Sequence, residues 1–338
     1  MVDLLIITAI TITGVNAAIG LWVVVHRILS NRRLRRLAAA RDRLKPAVLG
    51  WIDGDDSPAT AATGIEYEAI ADLLASYGKA VRGGARQRVA DLAREVGMTD
   101  RLIDQLRSRR GWRRAMAAYR LGDLGTREEA ARALIRRLKD RDRRVKDAAA
   151  RSLGSLAAVE AVEILVRRLA SNDLSRPVGA QALRTLGTAA APALSSLLVA
   201  EEEEVRAMAA ELLGLIGSSG GSNQLAAVLT DPSPEVRVRA TRALGRIGDA
   251  SAAEALHRTL DDPIPFVRAA AATAVAKIGH SASFERLVEM ARSDVFVPAH
   301  AAAYAAAYLQ PEAVEKLATD PRAGIHLQEA ADLLGIVG

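Results

Sequence analysis

A dipeptide of the Val-Arg type recurs at Val145, Val178, Val205, Val236, Val267 and Val297, with spacings of 33, 27, 31, 31 and 30 residues. Nine residues after these anchors comes Gly154, Gly187, Gly214, Gly245 and then Ala276, and Arg113 stands in the same relation to Gly122. Twenty residues after them comes Leu165, Leu225, Leu256, Leu287 and Leu317, with Leu134 in phase. Self-similarity at such a period marks one supersecondary unit stacked on copies of itself, each burying an apolar face that it cannot bury alone. The filling is helical. Ala, Leu, Arg and Glu dominate and only 3% of residues are aromatic, and these four types lose least on entering a helix. An all-α array over residues 112–338, about seven units with a terminal partial one, follows. A length of 338 residues exceeds what one hydrophobic core comfortably serves.

Each unit reads as an Ala-rich first helix, a Gly-containing turn such as Leu244 to Asp249, and a second helix of the form Leu-x-x-x-Leu. The glycines are assigned to the turn, where a positive φ is accessible to them at little cost. In the segment Asp231 to Arg237, Ser233 is placed to cap a helix, Pro234 suits its first position and Glu235 favours its positive end. Asp262 to Arg268 repeats the layout. The 33-then-27 spacing around Val178, with Pro177 and Pro192 nearby, predicts a third unit short by about one turn and a local change of curvature.

These residues resemble HEAT repeats of the short bacterial kind first associated with phycobilin lyases. The resemblance covers residues 112–338 and implies a right-handed α-solenoid that serves as scaffolding. It implies no bilin-lyase activity. The iron-binding deoxyhypusine hydroxylase type requires His-Glu pairs, and no His here is followed by Glu.

Leu4 to Val25 is an uncharged run of 22 residues, roughly 33 Å as a helix, enough to cross a hydrocarbon core of about 30 Å. A cleaved signal peptide would need a basic start and a small-residue cleavage site. This run begins after Asp3 and ends in His26-Arg27, followed by Arg32, Arg33, Arg35 and Arg36. Residues 1–25 are therefore expected to be a single-pass anchor. The basic C-terminal flank places the body in the cytoplasm of a bacterial cell and the N-terminus outside the inner membrane. Trp22 falls at headgroup level, and Gly14, Asn16 and Ala18 form a face suited to packing on another transmembrane helix. Residues 26–45 carry no Gly or Pro and read as a basic juxtamembrane helix ended by Pro46. Its arginines would meet anionic lipid headgroups, worth roughly 1 kcal/mol each. Residues 46–64 read as a linker. Residues 65–111 read as a cap of three amphipathic helices broken at Gly83-Gly84 and near Gly97.

The net charge of +6 is unevenly spread: −1 from Asp3, +7 over residues 26–45, −4 over 46–100, +10 over 101–146 and −6 over 147–338. That distribution disfavours nucleic acid along the whole array. There is no cysteine, which excludes disulfides, thiolate catalysis and cysteine-ligated zinc. The five histidines show no i, i+4 pair and no metal-ligand spacing, and Gly217 to Gly221 matches Gly-x-Ser-x-Gly only where no strand is predicted. Glu201 to Glu204 reads as a solvated turn, not a cation site. No catalytic residue, metal site or cofactor is expected. The partner-binding candidates are Arg136, Arg137, Arg167 and Arg168 on second helices, with Arg109, Arg110, Arg113 and Arg114 in the basic run before them. They suit an acidic surface of a membrane-associated protein or the anionic bilayer itself. The function expected is a membrane-anchored scaffold, with envelope or glycosyltransferase machinery as its setting; the alternative is a membrane-tethered nucleic-acid binder.

Overall fold

The structure is a computed structural model that describes residues 2–55, 64–81, 83–124 and 127–337, and before residue 31 only the side chains of Leu21, Trp22 and Arg27. The chain divides into two compact units, Met1–Ala133 and Leu134–Gly338. No strand occurs among the described residues.

The first unit opens with α1, Val2–Asp53, which continues through Pro46 instead of ending there. A proline inside a helix removes one backbone hydrogen bond and costs about 3 kcal/mol. Burial beyond it offsets that cost: Val48, Trp51 and Ile52 lie at 0%, 6% and 4% exposure, and a large apolar side chain gains roughly 1.5–3 kcal/mol on burial. Arg88 donates to the carbonyl of Ile52 and so occupies an acceptor at the helix end. Half of the expected linker is thus helix, while residues 56–63 lie outside the described residues. Three helices follow, α2 (Gly64–Ala80), α3 (Gly83–Glu95) and α4 (Met98–Gln105). Gly83 and Gly97 adopt φ of 57° and 66°, the left-handed conformation that ends one helix before the next. The unit continues with α5, Gly111–Leu124, and the boundary falls inside α6, Arg127–Arg137.

The second unit is a succession of helix pairs. Its first helices are α7 (Arg143–Ser155), α9 (Arg176–Leu186), α11 (Glu203–Ile216), α13 (Pro234–Ile247), α15 (Pro265–Ile278) and α17 (Phe296–Leu309). The second helices are α8 (Val162–Ala170), α10 (Ala191–Ser196), α12 (Ser222–Ala227), α14 (Ala253–Thr259), α16 (Phe284–Ser293) and α18 (Pro311–Ala318), and α19 (Ile325–Val337) follows. The periodic leucines Leu165, Leu225, Leu256 and Leu287 are each 0% exposed, as a shared apolar seam requires. Ser233 accepts from the Val236 amide and caps α13 as expected. The third unit is short in its first helix: α9 has 11 residues against 14 in each of α11, α13, α15 and α17. Arg176–Val199 is long and apolar enough to cross a membrane by composition, but Gly187, at φ 63°, folds it into the α9–α10 hairpin.

Two devices lock neighbouring first helices together. Gly154, Gly214 and Gly245 do not turn the chain, as the spacing suggested; they sit inside helices, against the next first helix. A Cβ at Gly214 would stand 2.6 Å from the Cα of Ala243, and one at Gly245 would stand 2.8 Å from the Cβ of Ala274. The positive φ falls three residues after Gly154, Gly214, Gly245 and Ala276, at Ala157, Gly217, Gly248 and Gly279. The second device is a row of buried ion pairs. Arg206 grips Asp231 and Arg237 grips Asp262, each through Nε at 2.7 Å and Nη2 at 3.0 Å. Arg268 does the same with Asp294, and Lys146 takes the equivalent place with a single bond from its ammonium to the part-buried Asp173. In each arginine rung Nη1 also donates to two carbonyls of the preceding loop. Asp294 is held below the ordinary carboxylate range by the Arg268 guanidinium, and Asp173 by the Lys146 ammonium. At Asp231 burial opposes ionisation, yet the Arg206 hydrogen bonds prevail and its pKa too lies low. The third unit lacks its rung because Gly179 stands where the cation belongs.

Candidate functional site

The basic run before α5 separates into two roles. Arg114 was grouped with the surface arginines, but it is only 6% exposed. Its Nη1 donates to the carbonyls of Ser108 at 2.9 Å and Arg109 at 3.2 Å, the same loop clasp that Arg206, Arg237 and Arg268 make. It is the repeat arginine of the first HEAT-like helix, fixing the loop before α5. The loop it fixes presents Arg109 and Arg110 to solvent, and Arg113 follows on the exposed side of the helix.

Between these cations lies an apolar stripe not recognised in the sequence. Trp112, Met116 and Tyr119 occur at i, i+4 and i+7 of α5, the spacing of one helical face, and are 58%, 51% and 36% exposed. The Arg113 guanidinium lies 5.3 Å from the Trp112 ring centroid, within cation–π range. Helical apolar residues ordinarily face a core, and here Ala117, Ala118 and Leu121 do so at 0% exposure. An exposed Trp-Met-Tyr face bordered by arginines has the composition of protein-interface hot spots. The signal was available: apolar positions on two faces of one short helix, where burial needs only one.

The second-helix arginines also divide. Arg136 and Arg167 are exposed and have no ion-pair partner among the described residues, whereas Arg137 pairs with Asp140 at 3.4 Å and Arg168 with Asp173 at 2.5 Å. Only one arginine of each pair therefore remains for a partner.

In the basic part of α1, Arg27, Arg32, Arg33, Arg35 and Arg36 are all exposed. Arg33 was assigned to lipid, but it pairs with Glu68 of α2 at 2.5 Å. Arg41–Asp72 and Arg43–Glu66 continue the same contact. Arg27, Arg32, Arg35 and Arg36 have no ion-pair partner among the described residues. Trp22 is 66% exposed, and the side chains of Gly14, Asn16 and Ala18 lie outside the described residues.

Gly217 to Gly221 is the turn after α11, with Gly217 at φ 71° and a short 3-10 helix at Ser219–Gly221, so it provides no nucleophile elbow. Glu201 to Glu204 are all exposed. The histidines are less dispersed than their spacing implied. His257 and His280 both contact Ser283 Oγ, at 2.8 and 2.9 Å, and His300 meets His326 and Glu329 across two helices.

An array of helix pairs, joined by glycine–alanine contacts and buried ion pairs and carrying its exposed binding chemistry on helix faces, is a helical repeat protein. Residues 99–187 and 222–307 match the family model for HEAT repeats, together just over half of the chain. The chain belongs to the HEAT-repeat family. Among solved structures it is similar to the complex of CpcE and CpcF of phycocyanin lyase from Nostoc sp., at 25% identity and TM-score 0.34, over 70% of this chain and 94% of that one. Human deoxyhypusine hydroxylase is similar at 19% identity and TM-score 0.30, over 72% and 98% of the two chains. Importin beta is similar at 16% identity and TM-score 0.49, over 85% of this chain and 44% of that one. No curated protein matches the chain by sequence.

Proposed function

We propose that this protein is an adaptor held at the cytoplasmic face of a bacterial inner membrane, where its HEAT units recruit an acidic protein partner. The observation that carries the reading is the α5 face, where Trp112, Met116 and Tyr119 stand exposed among Arg109, Arg110 and Arg113. Buried aromatic anchors supply most of the affinity at such a face, and the surrounding cations steer and orient an acidic partner. The membrane part rests on the uncharged run Leu4 to Val25 and on Arg27, Arg32, Arg35 and Arg36 beyond it, which have no protein carboxylate among the described residues to meet and suit anionic headgroups instead. The acidic charge of residues 147–338 argues against nucleic acid as the ligand.

The test is charge reversal in the full chain. R109E/R110E/R113E should remove co-purification of the partner, at about 2 kcal/mol or roughly 30-fold for each arginine that acts as a hot spot. Undiminished capture by this variant would contradict the reading. A salt titration decides the ligand class: duplex or single-stranded nucleic acid whose affinity falls steeply with salt would replace the protein partner.

A further inference from the structure

Helix α17 brings His300 against α19, which carries His326 and Glu329 one turn apart on the same face. One ligand atom from each of the three lies within 4.8 Å of the other two. The Nδ1 of His326 stands 3.5 Å from Glu329 Oε2, and the Nδ1 of His300 stands 4.0 Å from the same oxygen. Both Nδ1 atoms are shielded from solvent and neither has a hydrogen-bond partner. Two buried imidazole nitrogens left without partners carry an uncompensated desolvation cost, which an ion placed among them would relieve. The rings are held in place from outside. Phe296 stacks on His300 at 5.8 Å and meets His326 edge-on at 5.0 Å, while Tyr304 lies 4.5 Å from His300.

We propose that His300, His326 and Glu329 form a zinc site that fastens helix α19 to α17. Two imidazoles and one carboxylate are a three-ligand set of the kind zinc accepts, with a water completing the tetrahedron. Bonds of about 2.0–2.2 Å to a tetrahedral ion set ligand atoms about 3.4 Å apart, so the 4.0 Å contact must close by roughly half an ångström and the widest separation by up to about 1.4 Å, a movement that rotation of the long, half-exposed Glu329 and of the imidazoles supplies. A metal spanning α17 and α19 supplies a clamp between two helices that already pack on each other, and its binding energy adds to the stability of that contact. The structure assigns the site no reaction. Its role is to hold α19 on α17.

The test uses the full-length protein, stripped with a chelator and titrated with Co2+ as a spectroscopic probe, then with Zn2+ in competition. One equivalent of Co2+ should give the strong visible absorption of four-coordinate cobalt, and Zn2+ should abolish it. His326→Ala and His300→Ala, on different helices, should each weaken binding by on the order of 100-fold or more, because loss of even an outer-shell partner costs 10–100-fold. Glu329→Gln should weaken it less, and His257→Ala should leave it unchanged. Hydrogen exchange should slow in α19 when Zn2+ is added to the native chain and not in the His300→Ala variant, whose α19 sequence is intact. A wild-type chain without four-coordinate cobalt absorption, or one whose absorption survives both histidine substitutions, would overturn the proposal.

Discussion

Replacing Arg237 by Met tests how the second unit is held together. The Arg237 side chain is 11% exposed and Asp262 is 6% exposed, and the guanidinium makes two bonds to that carboxylate and two more to the carbonyls of Asp231 and Pro232. Methionine keeps the volume of the stem and removes the charge. The Asp262 carboxylate then retains only its bond from the Ile264 amide, at 2.9 Å. Breaking one partner out of a buried pair costs about 3–5 kcal/mol, and the edge exposure of the guanidinium puts the expected loss near the lower end, about 3 kcal/mol. Unfolding of a repeat array is not all-or-none, so a single global midpoint dilutes the effect. Native-state hydrogen exchange reads it locally: amides of α13 and α15 should exchange on the order of 100-fold faster, while those of α7 and α8 keep their protection. Asp262→Asn in the same chain should recover part of the loss, with a coupling of about 2 kcal/mol. A cost below about 1 kcal/mol, or additivity of the two substitutions, would refute the claim that this pair links the units.

Gly214→Ala should destabilise the chain by about 1–3 kcal/mol in urea denaturation, because its Cβ meets Ala243 Cα at 2.6 Å; a neutral result would show that the helices part without cost. Gly179→Arg would restore the repeat's missing cation in sequence, yet it should still destabilise, by less than Gly214→Ala and about 1 kcal/mol, because a Cβ there stands 2.8 Å from Leu169 Cδ1, a side-chain end that must shift within the core. A stabilised Gly179→Arg protein would show that the rung is absent for another reason. The depressed carboxyls of Asp173, Asp231 and Asp294 contribute stability that is complete above the unfolded carboxylate range and lost as pH falls through the lower folded values. Acid melting followed by circular dichroism should therefore show little change down to about pH 4 and a decline below it. Loss of helicity already between pH 6 and 5 would contradict that assignment.

The repeat and its helical class were legible because a recurring Val, a small residue nine positions on and a Leu twenty positions on survive chance substitution and each answers to one packing demand. What a particular residue does within the repeat was less legible. Gly214 and Gly217 look alike in sequence, but the first admits a neighbouring helix and the second turns the chain. Arg113 and Arg114 are adjacent, and only their phase against Arg206, Arg237 and Arg268 tells the exposed arginine from the buried one. The aspartates at Asp231, Asp262 and Asp294 carried a second signal, lying 25 or 26 residues after an arginine, a separation that has meaning only once units are stacked. Pro46 was read by its local rule, which the burial of Trp51 and Ile52 overrides. His300, His326 and Glu329 span 29 positions on two helices, so no short motif contains them.

The claim that the α5 face is the docking surface is tested most directly by a photo-crosslinking residue in place of Met116 in the full-length protein, activated in intact cells. The account predicts one dominant protein adduct, which disappears when Arg109, Arg110 and Arg113 are reversed to Glu. Adducts formed only with nucleic acid or lipid, or a protein adduct indifferent to those three charges, would contradict it.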